Sequence, residues 1–427
     1  MIPAGRSGSR AGAARVRSGA GVALPWFAAA LLLFFAGSAR AGTEEFSTFH
    51  TATQEEDDES LLDHVLTRHP RPWRDEWEHA AMGLRTAQGC LTSGQWFIQT
   101  DLKVGSPLGR SARFGVDMRQ SETDLSSYQY IDFTFKFPTA IGTTGAMFRP
   151  LFDKSRQDFA LMWETGTDTS SFDSQVVFTF EDMFNNLWAW RQTRVGNESE
   201  PYLRHPYEPA FRLRGRGDTW RAELFGQYLT PSRKLVQDLV LQAREQTLWG
   251  TLGVASLEAR VLGLNCELRG SNQQARSTDQ PTDFSTASND NWRRQWSVEA
   301  AMGRKVVPRF AAEVRGIYQS RDETWSPPVP AVFAGIDKLA QLDTRWEATQ
   351  NFHVRTGLLY DRIHINDVGW IRNGTYGTRK ESRAYIGLEA RFGRVTVEGI
   401  EGIELDQEPY PVWFHHDKGF LHLQTTF

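Results

Sequence analysis

The sequence predicts an all-β fold: a closed antiparallel transmembrane β-barrel of about 18 strands, with 16 as the alternative count, preceded by a short N-terminal helical segment. Apolar and polar residues alternate almost continuously from residue 95 to residue 427, which is the period of a β-strand. The 15 tryptophans and an aromatic content of 12% suit the girdles that barrels place at the two membrane surfaces. After residue 41, no stretch is long and apolar enough for a spanning helix, so strands must make any membrane crossing.

The first 41 residues have the pattern of a secretory signal peptide. Arginines precede an apolar run at residues 22–37, and Ala39 and Ala41 provide the small residues of a cleavage site. An uncleaved membrane helix is the alternative, but Pro25 interrupts the run, and a span needs about 18 or more apolar residues. We therefore expect cleavage after Ala41. The expected regions are a signal peptide at 1–41, a periplasmic or plug-like N-terminal segment at 42–92, and the barrel at 93–427.

The segment at residues 42–92 differs in composition from the rest of the chain. An acidic run at residues 55–59 is followed by apolar residues with helical spacing until Pro70, and a second helical stretch is predicted at about residues 74–86. Two short amphipathic helices before a barrel can form a periplasmic cap, a plug that enters the lumen, an arm that docks a periplasmic partner, or a solvated extension. The sequence leaves these alternatives open.

Strand alternation is clearest where the two faces of a segment differ most. Phe133 and Phe135 share one face of residues 131–137, while Asp132 and Lys136 share the other. Each such segment has about the length that crosses a bilayer as a tilted strand. The predicted strands lie at residues 96–103, 112–119 and 131–137 and around residues 147, 161, 177, 190, 211, 223, 255, 266, 298, 314, 344, 357, 387, 398 and 423.

The lengths of the connections support this count, because a single-chain barrel alternates short periplasmic turns with longer external loops. Residues 215–218 then form a tight periplasmic turn, residues 229–248 form an external connection, and both termini lie in the periplasm. The other long connections are predicted at residues 271–291, 320–336, 365–378 and 406–418, and the short ones near residues 261, 305, 350 and 393.

The external connection contains residues 234–246, whose apolar residues have helical spacing. A barrel of about 18 strands is too wide for its wall side chains to fill, so a loop folded into the mouth would narrow it. We predict that residues 231–248 form this constriction, with Asp238, Arg244 and Glu245 near the solute path. An external helix packed on neighbouring loops is the alternative.

The last residues of the sequence form a predicted strand that ends on an aromatic residue. Leu421, Leu423, Thr425 and Phe427 share one face of this strand, which resembles the closing strand of bacterial outer-membrane β-barrels. The resemblance implies that Phe427 is the signal read by the barrel-assembly machinery, and that outer-membrane lipid surrounds the barrel in a Gram-negative bacterium. Barrels of this strand number include sugar- and carboxylate-selective porins and a polysaccharide exporter, so the resemblance also implies a channel.

Polar residues two positions apart on one strand face often carry opposite charges, which predicts a densely charged but nearly neutral inner wall. Such a wall can line a water-filled pore, or it can stiffen the barrel by ion pairing. Arg212, Arg214 and Arg221 lie across one hairpin and together offer donors to an anion. The candidate pore-lining residues are Arg113, Asp117, Arg119, Arg212, Arg214, Arg221, Glu223, Glu267, Arg269, Glu313, Arg315, Arg345, Arg355, Glu389 and Arg391.

We expect a porin-like channel for small polar or charged solutes. The alternative is a non-conducting barrel that acts as a scaffold and sheathes or anchors a partner, such as an electron-transfer or export component. The sequence contains no Gly-x-Ser-x-Gly, HExxH or glycine-rich phosphate loop, so we expect no enzyme activity, cofactor or bound metal. We also expect no nucleic-acid partner.

The two cysteines, Cys90 and Cys266, form no CxxC motif. A disulfide between them would be stable in an oxidising envelope. However, Cys266 lies on the apolar face of its predicted strand, which favours a lipid-facing free thiol.

Overall fold

A computed structural model describes residues 82–90, 96–109, 111–123, 127–150, 157–166, 170–180, 202–237, 243–281, 289–325, 331–368, 377–405 and 416–426. The predicted signal peptide, the predicted helix after the acidic run, the strand predicted near residue 190, and Phe427 lie outside these residues. The described residues form strands joined by turns and contain no helix, which confirms the all-β prediction for this part of the chain. They accordingly hold no helix of the length and apolar content that a membrane crossing requires.

The described strands, numbered in chain order, fall into two groups by length. The shorter strands are β1 (Met82–Cys90), β2 (Trp96–Leu108), β3 (Ala112–Thr123), β4 (Ser127–Thr139), β5 (Gly142–Pro150), β6 (Gln157–Thr165), β7 (Phe172–Phe180), β8 (Tyr202–Arg204), β9 (Tyr207–Arg216), β18 (Val395–Glu404) and β19 (His416–Thr426). The longer strands are β10 (Trp220–Gln237), β11 (Ala243–Val261), β12 (Leu264–Pro281), β13 (Asn289–Val307), β14 (Phe310–Trp325), β15 (Ala331–Thr349), β16 (Phe352–Val368) and β17 (Gly377–Phe392).

The sheet closes on itself. Neighbouring strands pair in antiparallel fashion around the whole sheet, and β19 pairs with β1. Only His205 and Pro206 separate β8 from β9, and both of these strands pair with β10, so they occupy one position in the wall. Counted in this way over the described residues, the barrel has 18 strands, which confirms the predicted number.

Strand β1 corrects two predictions, namely that the barrel begins only after residue 92 and that a helix reaches residue 86. It pairs with β2 on one side and with β19 on the other. On the inner face of the wall, Arg85 donates a hydrogen bond to Asp101 at 2.5 Å. Sheet pairing prevails over the local helical spacing because β2 and β19 would otherwise each present an unpaired edge.

Most connections at one end of the barrel are tight turns of two or three residues. The β11–β12 hairpin turns on Leu262 and Gly263, whose φ angles of 52° and 78° provide the backbone twist of a two-residue hairpin. Gly83 pairs with Thr426 at this same end. The tight turns predicted at residues 215–218 and near residues 261, 305, 350 and 393 are confirmed, whereas most of the long connections predicted at residues 271–291 and 320–336 is strand in β12 to β15. In barrels of this kind, the end with the tight turns is the periplasmic end.

The β10–β11 hairpin corrects the prediction of an infolded helical loop at residues 231–248. The two strands continue as a paired ribbon through most of this range, with one register shift between Leu229 and Ser232. β8 borders β10, and β12 borders β11, so the backbone groups find partners in the wall. Sheet pairing therefore overrides a helical spacing that is purely local.

This correction also applies to the residues predicted to lie at the constriction, because the loop predicted to contain them is strand over most of its length. Arg244 and Glu245 are β11 residues whose backbones pair with Val236 and Leu235. The prediction that they belong to a constriction loop is wrong. Asp238 lies outside the described residues.

The two faces of the wall differ in chemistry. On the outer face, large apolar side chains such as Leu161 and Leu358 are exposed. The inner face carries most of the charged side chains, and several of these are buried, including Asp361 and Arg383. A closed sheet with an apolar outer band is suited to lipid contact, because all its backbone groups are paired. Cys266 lies on the outer face as a free thiol, as predicted.

Candidate channel interior

The register places the predicted pore-lining residues at inner-face positions. These positions face one another across neighbouring strands, as Arg214 faces Glu223 and Arg345 faces Arg355. Arg119 also occupies such a position, although the structure describes only its backbone. A role in lining a pore stays a prediction. The other inner-face residues of the predicted set are Arg113, Asp117, Arg212, Arg221, Glu267, Arg269, Glu313, Arg315, Glu389 and Arg391.

The arginines predicted to cluster on the β9–β10 hairpin do come together. Arg212 and Arg214 both reach Glu223, with nitrogen–oxygen distances of 3.2 and 3.5 Å. Arg216 joins them and lies 3.9 Å from Asp173. Sequence reasoning missed Arg216, although its position two residues after Arg214 on the same strand face was a sufficient signal.

Arg221 completes this cluster. It faces Arg216 across the β9–β10 pair and Glu258 across the β10–β11 pair. The described wall therefore brings these four arginines together with the carboxylates of Glu223, Asp173 and Glu258, and forked N–H groups of this kind suit an anionic oxygen.

A second network is centred on Arg355 of β16. Its Nε donates to Asp343 at 2.8 Å, and its Nη1 lies 3.6 Å from Glu398, two strands away. Tyr385 donates its hydroxyl to Asp343 at 2.5 Å and accepts from Gln341 at 2.9 Å. The guanidinium also lies 5.5 Å from the centroid of the Tyr385 ring. Arg355 thereby connects β16 to three other strands, β15, β17 and β18.

Glu389 of β17 organises a neighbouring network. Its carboxylate accepts from Arg345 at 2.8 Å and from Arg391 at 3.2 Å. His353 Nδ1 lies 3.2 Å from the same carboxylate. The two-residue spacing of Glu389 and Arg391 predicted part of this group, whereas the link to Arg345 depends on the register of β15 to β17.

Arg315 of β14 is surrounded by carboxylates. It makes ion pairs with Glu299, with Glu313 at 2.6 Å, and with Glu267 at 3.6 Å. Only the Glu313 contact lies within one strand. The other two cross to β13 and β12, so sequence spacing could not predict them.

Together these networks form what we call the turn-side charged layer, which covers the inner face between the tight turns and the middle of the wall. Several of its side chains are accessible: Lys305 and Glu347 pair at 3.0 Å and are 52% and 42% exposed, and Arg391 is 30% exposed. Arg113 and Asp117 are also exposed. Water therefore reaches this layer from the periplasmic end.

Buried apolar side chains on the inner face were not predicted, and we call their two larger groups the inner apolar arcs. The sequence contained evidence for them. Leu359 has the same parity as Arg355, and Ile317 has the same parity as Arg315, so both lie on the inner face. We did not predict them because we expected a polar lumen. The first arc contains Ala87, Phe97, Ile317, Leu339, Leu359, Tyr385, Ile400 and Phe420. The second contains Ala160, Met162, Val177, Ala210 and Phe225, against which Met147, Leu252 and Val254 pack.

The first inner apolar arc lies further from the tight turns than the charged residues Arg315, Arg355 and Glu389 of the same strands. Ile317, Leu359 and Tyr385 each lie seven residues from the turn-side end of their strands, at residues 310, 352 and 392. At about 3.3 Å per residue and a tilt near 40°, this distance is roughly 18 Å along the barrel axis. All members of the first arc are at most 7% exposed. Along β14, β16 and β17 the inner face thus changes from a partly accessible charged layer to a buried apolar arc.

The described residues offer no obvious metal centre. Within the described ranges, no group of three or more His, Cys, Asp or Glu side chains is arranged to hold an ion. His353 and His422 occupy inner-face positions on β16 and β19, which are not neighbouring strands.

Comparison with known proteins places the fold in a broad class. No protein-family model and no curated protein matches the chain. Among solved structures it is similar to CdiB from Acinetobacter baumannii, with 11% identity and a TM-score of 0.41 over 81% of this chain and 60% of that one. A bacterial polysaccharide outer membrane secretin matches with 11% identity and a TM-score of 0.41 over 82% and 99% of the two chains. OccK5 (OpdH) from Pseudomonas aeruginosa matches with 12% identity and a TM-score of 0.38 over 82% and 97%.

This chain is a channel-like outer-membrane β-barrel. Its own geometry carries that assignment: the sheet is closed, its outer band is apolar, and its inner face is charged. The chain spans 60% of the length of the A. baumannii CdiB structure that it resembles. At these identities and TM-scores, what the similar structures transport or bind indicates nothing about this chain.

Proposed function

We propose that this barrel is a gated, porin-like channel that passes small polar or charged solutes across the outer membrane. The observation that carries the proposal is the layered interior, in which the partly accessible turn-side charged layer is followed along the axis by the buried first arc. Neither layer alone would support a gate. Charges admit hydrated solutes, and an apolar narrowing stops them when it sheds water.

The turn-side charged layer supplies the solute-facing chemistry. The cluster around Arg212, Arg214 and Arg216 is rich in arginine and remains partly accessible, since Arg214 is 32% exposed. Anionic solutes would exchange hydration for forked N–H donors at this point. The proposal includes no catalytic step.

The inner apolar arcs supply the barrier. Leu359, Ile400 and Phe420 lie on β16, β18 and β19 and are only 2–3% exposed, so water does not wet them in this conformation. A solute with a hydration shell would lose it there at a cost of several kcal/mol. Conduction would therefore require the inner apolar arcs to separate or to become polar.

The test is single-channel conductance of the folded barrel in planar bilayers. The double variant Leu359→Ser with Ile400→Ser makes part of the first arc polar, and we expect it to raise conductance or open probability several-fold. Leu358→Ser is the matched control, because Leu358 is adjacent in sequence but 51% exposed on the outer face. This control should conduct like the wild type.

A second candidate function is supported by the depth of burial at one part of the inner wall. Asp361, Arg383 and His422 point inward on β16, β17 and β19 and are at most 2% exposed. A wall that is shut to water suits a non-conducting scaffold that holds or anchors a partner. If folded wild-type and Leu359→Ser/Ile400→Ser barrels both pass no current, the channel proposal fails and the scaffold is favoured.

A further inference from the structure

The outer face of β16 changes abruptly from apolar to basic. Reading upward from the tight turn, its outer positions are Phe352, Val354, Thr356, Leu358 and Tyr360, and the next is Arg362. Phe352 and Tyr360 are 37% and 44% exposed, as expected for aromatic residues at the two membrane surfaces. The residues between them are apolar or, in the case of Thr356, small.

The distance between these positions matches the height of a bilayer. Arg362 lies ten residues above Phe352 on one continuous strand. At about 3.3 Å per residue and a tilt near 40°, this separation is roughly 25 Å along the barrel axis, which is the height of the apolar band of an outer-membrane barrel. Arg362 is therefore at the external edge of the hydrocarbon layer.

Two further cations stand beside Arg362. The register pairs Lys338 of β15 with Arg362, and Arg362 with Lys380 of β17. All three residues are on the outer face and are exposed. Since neighbouring strands are about 4.8 Å apart, their backbones lie within about 10 Å of one another. We call these three residues the outer basic row.

The outer basic row is not neutralised within the described part of the chain, where none of its members makes an ion pair. Lys338 Nζ lies 5.4 Å from the centroid of the Tyr318 ring, and Tyr318 is itself 4.7 Å from Trp296. Arg276, another cation of the outer face, is by contrast paired with Asp290 at 2.6 Å. Three adjacent like charges without carboxylates repel one another, so their arrangement suits an external anion.

We propose that the outer basic row binds the phosphate groups of a phosphorylated glycolipid in the outer leaflet of the membrane. Phosphates attached to a lipid sit at the edge of the hydrocarbon layer, which is the level of Arg362. The guanidinium offers a planar fork to phosphate oxygens, and the two ammonium groups add point charges. Tyr318 and Trp296 provide aromatic faces beside the site, as is common at membrane surfaces. A free phosphate ion would have no reason to prefer this level of the wall.

The test compares lipid A binding by the folded, detergent-solubilised full-length barrel and by the variant Lys338→Gln/Arg362→Gln/Lys380→Gln. Bisphosphorylated lipid A is the probe, titrated by native mass spectrometry. Each basic residue at a membrane surface contributes about 1 kcal/mol, or roughly fivefold, so we expect the triple variant to bind about 100-fold more weakly. Arg304→Gln is the matched control, because Arg304 is an exposed outer-face arginine near the tight turns. Its affinity should equal that of the wild type.

Three results would overturn the proposal. The first is equal affinity in the triple variant and the wild type. The second is equally tight binding of dephosphorylated lipid A by the wild type, which would remove phosphate from the recognition. The third is displacement of lipid A by inorganic phosphate at the same concentration, which would indicate a site for free anions. Heat-modifiable migration establishes that each variant is folded; if the triple variant is not, the single variants should each lose about fivefold.

Discussion

Strands β10 to β17 run for 16 to 19 residues, whereas β1 to β7, β9, β18 and β19 run for 9 to 13. A tilted strand of about 9–11 residues crosses a bilayer, so the shorter group does little more than span it. The surplus of the longer group lies at the end opposite the tight turns. We call this surplus the overhang, and in β12 and β13 it includes residues 276–281 and 289–292. One part of the wall ends near the membrane while the other continues outward as a sheet.

The two parts differ because their solvents differ. In the spanning wall one face meets lipid, so apolar residues must occupy alternate positions. In the overhang both faces are free to meet water, and residues 276–280 of β12 are polar on both faces. Pairing of the strands continues through this change without a break in register. Strand pairing and apolar alternation are therefore separate properties, and only the second requires lipid.

A matched pair of deletions tests most directly whether the overhang and the spanning wall differ in their importance for folding. Replacing residues 276–292 by Asn-Gly removes overhang and leaves residues 264–275 and 293–307, which still reach across a bilayer. Replacing residues 117–132 by Asn-Gly removes a similar length from β3 and β4 but leaves residues 112–116 and 133–139, which do not. We expect the first variant to fold with a yield near that of the wild type and the second not to fold, as measured by heat-modifiable migration in gels.

Each of these two expected results can be contradicted without the other. If the variant without residues 276–292 does not fold, the overhang is required for closure of the barrel and is no mere surplus. If the variant without residues 117–132 folds, these strands need not span the membrane, and the distinction between the two parts of the wall disappears.

The same physics explains how much of the fold the sequence could predict. The spanning strands around residues 161, 177 and 398 lie where apolar alternation predicted them, because lipid enforces that pattern. The overhang was predicted as long loops at residues 271–291 and 320–336, because two wet faces leave no alternation to detect. β1 was predicted as part of a helical segment because its apolar alternation is weak: polar Thr86 and Gln88 share the face of Leu84.

The contacts of the candidate interior also include some that the sequence could predict and others that it could not. Ion pairs within one strand, such as Glu313 with Arg315, were predictable from their spacing. The contact of Arg355 with Glu398 was not, because it joins residues two strands apart and depends on the registers of two strand pairs. The inner apolar arcs were visible in the parity of Leu339 and Leu359, but nothing in the sequence shows that these side chains are buried rather than wet.

An intermediate effect should come from Arg355, which ties the spanning wall together. Arg355→Met leaves the carboxylates of Asp343 and Glu398 without their cation, and Glu398 is only 1% exposed. Removing one partner of a buried ion pair typically costs about 3–5 kcal/mol. We therefore expect a loss of that order in the free energy of unfolding, measured by urea titration of the barrel folded in lipid vesicles. The control Arg355→Lys, which retains the charge, should lose less.

A small loss for Arg355→Met would contradict this interpretation of the network. A change below about 1 kcal/mol would mean that the carboxylates are solvated or take up protons without penalty, as exposed groups do. Removing a charge would then reduce the free energy of unfolding no more in the spanning wall than in the overhang.

The smallest effect should come from the ion pair of the overhang, Arg276 with Asp290. The guanidinium donates to both carboxylate oxygens, at 2.9 and 2.6 Å, but the two side chains are 49% and 39% exposed, so water and salt screen the pair. This hydrogen bonding lowers the pKa of the Asp290 carboxyl below its ordinary value, against a smaller opposing contribution from burial. A depressed pKa in the folded state stabilises the fold above the pKa of the unfolded chain, which is about 3.9 for Asp. That contribution disappears as the pH falls through the lower, folded value.

We therefore expect Arg276→Gln to reduce the free energy of unfolding at pH 7 by less than about 1 kcal/mol. The difference between this variant and the wild type should shrink as salt is added, and it should vanish once the pH falls below the pKa of Asp290 in the folded barrel. Urea titrations at several pH values, with Asp290→Asn as the second variant, measure both dependences. A loss at pH 7 as large as that of Arg355→Met, or one that persists in acid, would mean that the overhang is held as firmly by its charges as the spanning wall. The overhang would then contribute to barrel stability as the lipid-embedded strands do. The two parts of the wall would differ only in the length of their strands.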